Sequence, residues 1–92
     1  MRIKIPGDEK DQCYLCHRVG RMEIHHCLHG IRRKKADDYG LTVHLCPLCH
    51  RLLHDHGVGD LLLEQTAQLA FERHYRSDGR EKWMKEFGKN YL

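Results

Sequence analysis

Apolar positions fall into short, loosely alternating stretches in the middle of the chain and into helical spacing after Cys46. Arg21 to Cys27 alternates and carries Met22 and Ile24, which predicts a short strand. Leu41 to Leu45 is rich in β-forming residues and predicts a second strand, antiparallel to the first. Between them, residues 28 to 40 hold Gly30, a basic run and Asp37-Asp38, and read as a loop. Pro47 suits the first turn of a helix, where its missing N–H is not needed, and that helix is expected to stop at Gly57. Asp60 would cap a second helix reaching about Arg76, with Leu63, Ala67, Ala70, Phe71 and His74 on one side. Asp78 and Glu81 have capping-box spacing ahead of a third helix carrying Trp83, Met84 and Phe87 and ended by Gly88. Residues 1–12, charged and broken by Pro6-Gly7, read as an extended or frayed lead-in.

The predicted order is strand, loop, strand, helix and two further helices, a small α+β chain. At 92 residues it is expected to be a single domain, with the lead-in over 1–12, a central part over 13–57 and a helical part over 58–92. So short a chain buries a limited core, and a structural metal often supplies the missing stability. Five cysteines and nine histidines exceed what such a core needs, and both residue types bind zinc and its neighbours. No apolar run approaches the roughly 20 residues of a membrane helix, and no secretory apolar segment follows Met1. A cytoplasmic location without a membrane partner is therefore expected, where reduced Cys-x2-Cys pairs favour metal over disulfide. The formal charge of +3 is too mild to announce a nucleic-acid partner. The run Arg32-Arg33-Lys34-Lys35 is either a solvated segment or a phosphate contact.

Cys13-x2-Cys16 and Cys46-x2-Cys49 are two knuckles of matched spacing. Thiolates three apart on a tight turn can face one ion at about 2.3 Å, and two such turns complete a tetrahedron around a structural zinc. A closed site of this kind does no chemistry; it ties the start of the chain to the start of a helix. Cys27 is left over and suits a buried, apolar position.

A second cluster comprises Glu23-Ile24-His25-His26 on the first strand and His50 and His54 on the first helix. Four residues apart, His50 and His54 share one helical face, whereas His25 and His26 point to opposite sides of a strand. One strand histidine can therefore join the helical pair around a metal with open positions while its neighbour faces elsewhere. A site of Cys46, Cys49, His50 and His54 is disfavoured, because three of the four crowd one turn and Cys13 and Cys16 are stranded. His17, His29, His56 and His74 have no assigned role, although His29 and His56 fall near the cluster and could support it.

These residues, Cys13-x2-Cys16, Glu23-x-His25-His26 and Leu45-Cys46-x2-Cys49-His50-x3-His54, resemble the HNH or ββα-metal nuclease superfamily in the zinc-knuckle form common in phages. More narrowly, His25-His26, Gly30, Arg32 to Lys35, Tyr39-Gly40-Leu41 and the ending Phe87 to Leu92 are similar to small phage proteins related to recombination-enhancement nucleases that act with RecA filaments. The resemblance implies a ββα-metal core stapled by the four-cysteine zinc site and followed by two C-terminal helices. It implies a DNA endonuclease, of phage or prophage derivation, with a RecA-type filament as a second partner.

By the same resemblance, His25, His50 and His54 bind one divalent ion (Mn2+, Co2+, Ni2+, Zn2+ or Mg2+), and His26 is the general base. Glu23 orients a catalytic histidine or an arginine near the phosphate, and Arg32, Arg33, Lys34 and Lys35 contact DNA. The expected products are a 5′-phosphate and a 3′-hydroxyl. The middle Asn of the motif is absent, since the sequence places its one asparagine at Asn90. His44 lies in the right region to substitute, but a structural strand histidine is the simpler reading. A less firmly pinned loop implies slow or partner-dependent catalysis. The alternative is a zinc module that binds DNA or a recombination protein without cutting, and a third is a docking domain using Trp83, Phe87 and Tyr91.

Overall fold

Val43 and Leu45 alternate with Thr42 and His44, and this period of two makes the segment a strand with one buried face. In the computed structural model, which describes residues 2–92, it is strand β2, Thr42–Leu45, paired antiparallel with β1, Glu23–His26. The register sets His25 opposite Val43 and Glu23 opposite Leu45. Helices α1 (Arg33–Tyr39), α2 (Pro47–His56), α3 (Asp60–Tyr75) and α4 (Gly79–Phe87) complete a small α+β fold. Gly57 ends α2 in the left-handed conformation that its lack of a side chain permits. Among the described residues, no helix is long and apolar enough to cross a membrane.

The core joins Cys27, Leu28, Leu41, Val43 and Leu45 around the sheet to Leu63, Phe71, Trp83 and Phe87 from the last two helices. Trp83 and Phe87 are thus core residues, not docking aromatics. Phe71 meets Tyr39, Trp83 and Phe87 at centroid distances of 5.2, 5.4 and 5.7 Å, each edge to face, an arrangement aromatic quadrupoles favour.

The segment expected as a loop contains helix α1. Of its seven residues Ala36 is buried and Tyr39 packs on Phe71, so tertiary contact stabilises a helix that its charged sequence does not advertise. The lead-in is not frayed either. Ile3 and Ile5 are buried, the Ile3 N–H donates to the Tyr39 carbonyl at 2.6 Å, and Arg2 donates to the Asp37 carbonyl at 2.6 Å. Buried Asp8 accepts from both the backbone N–H and the Nδ1 of His44, at 2.8 and 2.9 Å. His44 is therefore held on the lead-in.

Three finer expectations also change. Gly59, in the left-handed conformation, is the N-cap of α3, and Asp60 is its first helical residue. The Asp78 side chain makes no capping bond and sits 3.7 Å from Lys82 instead. His74 faces solvent while the neighbouring stripe from Leu63 to Phe71 is buried.

At the α3–α4 junction a Cβ on Gly79 would fall on the Glu72 backbone. Gly79→Ala should therefore force the two helices apart and lower stability by about 2 kcal/mol or more, measured by urea unfolding.

Candidate metal centres

Both cysteine knuckles fold the same way. The Cys16 N–H points at Cys13 Sγ at 3.5 Å, and the Cys49 N–H points at Cys46 Sγ at 3.4 Å, which caps α2. The first knuckle docks on the sheet through the Tyr14 N–H and the His44 carbonyl at 2.8 Å. All four sulfurs lie within 4.8 Å of one another, and Cys16 Sγ to Cys46 Sγ is 3.7 Å. A tetrahedral zinc with bonds near 2.3 Å requires sulfurs about 3.8 Å apart, so the four cysteines are close enough to hold a metal ion of this kind.

Its electrostatics call for a cation. Burial pushes the Cys13 thiol up, but N–H groups of Cys16, Cys46 and Leu15 outweigh it and bring the pKa down to about 6. Burial, then the thiols of Cys46, Cys16 and Cys13, push Cys49 the other way. Cys13 forms a thiolate readily, Cys49 resists one, and a divalent ion would remove that conflict. Cys27 is fully buried outside the set, its thiol pushed up by burial first.

The histidine cluster assembles on the far side of the same frame. Cys49 fixes the phase of α2, so His50 and His54 face β1, where buried His25 meets them at ring-centroid distances of 5.3 and 5.8 Å. One ring nitrogen from each of the three lies within 4.8 Å of the others. Glu23 accepts from His50 Nδ1 at 2.8 Å, which leaves His50 Nε2 as a lone-pair donor facing His54 Nε2 at 3.0 Å. Glu23 thus orients a histidine, and that histidine is His50.

His25 is 2% exposed and, among the described residues, its Nε2 has no hydrogen-bond partner. An unpartnered buried nitrogen costs on the order of 1–3 kcal/mol, and a metal ion would satisfy it. Burial, followed by the nearby His50, His29 and His54, takes the His25 pKa down to about 4, so it is neutral near pH 7 and fit to ligate.

His26 points the other way along the strand, toward α1, where its Nε2 meets Asp37 Oδ1 at 3.2 Å. It still lines the same cavity of about 380 Å³ as His25, His29, Arg33, His50 and His54. A second cavity, of about 360 Å³, continues past His26 along Gly30, Arg33, Lys34 and Asp37. Asp37 is a site residue that sequence reasoning passed over, because the segment containing it read as a loop.

The basic run divides between two jobs. Arg32 Nε donates to the Phe87 carbonyl at 2.8 Å and Lys35 Nζ to the Glu86 carbonyl at 3.2 Å, capping the end of α4. Arg33 lines both cavities and Lys34 lines the second. His29 also lines the site, whereas His17 and His56 are exposed away from it. Asn90, the lone asparagine, accepts from buried Gln68 at 2.8 Å and pins the C-terminal tail.

Neither a family model, a curated protein nor a solved structure matches this chain. Functional inference therefore rests on the two centres themselves.

Cys46→Ser should lose the zinc and cost more than about 5 kcal/mol of stability, whereas Cys27→Ala should keep one zinc per chain; metal analysis and unfolding curves decide. His25 supplies a pH test. A histidine whose pKa falls on folding contributes stability that is present above its unfolded value near 6.5 and lost as the pH drops toward 4. Freed of metal at the histidines, the wild type should lose roughly 2 kcal/mol more than His25→Phe between pH 7 and pH 5 in urea unfolding.

Proposed function

We propose that this protein is a metal-dependent endonuclease that hydrolyses DNA phosphodiester bonds on a ββα-metal core of the HNH type. One observation carries the reading: beside three converging histidines, His26 stands in the same cavity, outside the ligand set and bonded to a carboxylate. A metal site that serves only to fold or bind has no use for such a residue.

The donor set fits an ion of the Mn2+, Co2+, Ni2+ or Zn2+ kind better than Mg2+, since three neutral imidazoles would hold it. When bound at His25, His50 and His54, the ion supplies Lewis-acid stabilisation of charge on the scissile phosphate. The remaining work belongs to the chain. Asp37 accepts from the His26 Nε2–H, which leaves Nδ1 unprotonated and able to take the proton of the attacking water. Asp37 thereby supplies, from a helix, the positioning that the missing Asn would give. Glu23 keeps His50 in the ligating tautomer. Arg33 and Lys34, along the joined cavities, hold the DNA backbone without reading its bases.

Supercoiled plasmid incubated with the protein and Mn2+ tests this reading. His26→Ala should nick at least about 100-fold more slowly than wild type, and equal nicking would sink the catalytic assignment. Asp37→Ala should lower kcat about tenfold with little change in KM, and Asp37→Asn should restore most of it. Arg33→Ala/Lys34→Ala should weaken DNA binding and flatten its salt dependence by about two charges. Arg32→Ala/Lys35→Ala should lower stability instead.

A further inference from the structure

His25 belongs to a second group of converging ligands. One donor atom each from His25, His29 and Asp60 also lies within 4.8 Å of the other two. His29 sits in the turn after β1, and its ring centroid is 5.7 Å from that of His25. Asp60 opens α3, and its Oδ1 is 2.6 Å from His29 Nε2. We propose that His25, His29 and Asp60 form a second divalent-metal position, which shares His25 with the three-histidine position so that one ion occupies one or the other.

The placement of Asp60 is built in. A Cβ on Gly59 would come within 3.0 Å of a Leu15 methyl, so the cysteine knuckle packs directly against the start of α3. The structural zinc therefore sets where Asp60 stands as well as where His50 stands. Among the described residues, the Asp60 carboxylate has no lysine or arginine partner, and its hydrogen bond goes to His29 alone. One turn further along α3, burial and then the Asp60 charge push the Glu64 carboxyl up. The Asp60 carboxylate thus converges on His25, whose buried Nε2 has no hydrogen-bond partner among the described residues. A cation would satisfy both.

The two positions differ in donor chemistry. Three imidazoles suit Co2+, Ni2+ and Zn2+, whereas a carboxylate oxygen with two imidazoles moves the preference toward Mn2+. The proposal is independent of DNA cleavage and is read by metal binding alone.

Mn2+ and Co2+ titrations of the full chain, with zinc kept at the cysteines, test it through Asp60→Asn and His50→Ala/His54→Ala. Asp60→Asn should weaken Mn2+ about tenfold or more and leave Co2+ within about twofold. His50→Ala/His54→Ala should lose tight Co2+ binding yet keep Mn2+ within about threefold. The proposal is overturned if Asp60→Asn leaves Mn2+ unchanged, or weakens both metals equally. Loss of all Mn2+ binding from a folded, zinc-loaded His50→Ala/His54→Ala protein overturns it as well. Should that double variant fail to fold, the Mn2+-against-Co2+ selectivity of Asp60→Asn decides alone.

Discussion

Four thiols drawn from positions 13, 16, 46 and 49 meet within 4.8 Å of one another, and every other placement in the site follows from that meeting. Sulfurs so close repel as thiolates unless a cation sits among them, so one ion bound there would hold the sheet, the first knuckle and the start of α2 together. Because Cys49 and His50 are adjacent, fixing the sulfur fixes the imidazole. Because Leu15 packs on Gly59, fixing the knuckle also fixes where α3 begins. A closed centre of this kind does no chemistry, but its cysteines position the histidine cluster.

Around that frame, histidines pair with carboxylates. Glu23 holds His50, Asp37 holds His26, Asp8 holds His44 and Asp60 holds His29, at 2.6 to 3.2 Å. Each pairing selects a tautomer and an orientation, and each carboxylate comes from a different element from its histidine. His25 stands apart, buried, neutral and without a hydrogen-bond partner at Nε2. A buried imidazole left bare among oriented ones is the arrangement expected where a metal is the missing partner.

Much of this is legible in sequence, and the reasons are local. Cys-x2-Cys spacing, the period of two in Val43 and Leu45, and the four-residue step from His50 to His54 are set by backbone geometry and need no tertiary information. Helix α1 is illegible because a single buried alanine, and one aromatic that packs on distant α3, stabilise it. With α1 hidden, Asp37 could not be seen as the partner of His26. The basic run misled in part for the same reason: Arg32 and Lys35 are spent on the last carbonyls of a helix some fifty residues away, which spacing cannot reveal. Asp60 read as a helix cap, and only the fold brings it to His29.

On the proposed reading, the cysteine frame holds an open histidine metal centre beside a general base. A crystal structure of the zinc-loaded protein soaked in cobalt, with anomalous scattering recorded at the zinc and cobalt edges, addresses it most directly. Zinc is expected among the four sulfurs and cobalt at His25, His50 and His54, with His26 on Asp37 and outside the coordination sphere. Cobalt absent from those histidines, or His26 found as a ligand in place of His25, would contradict it.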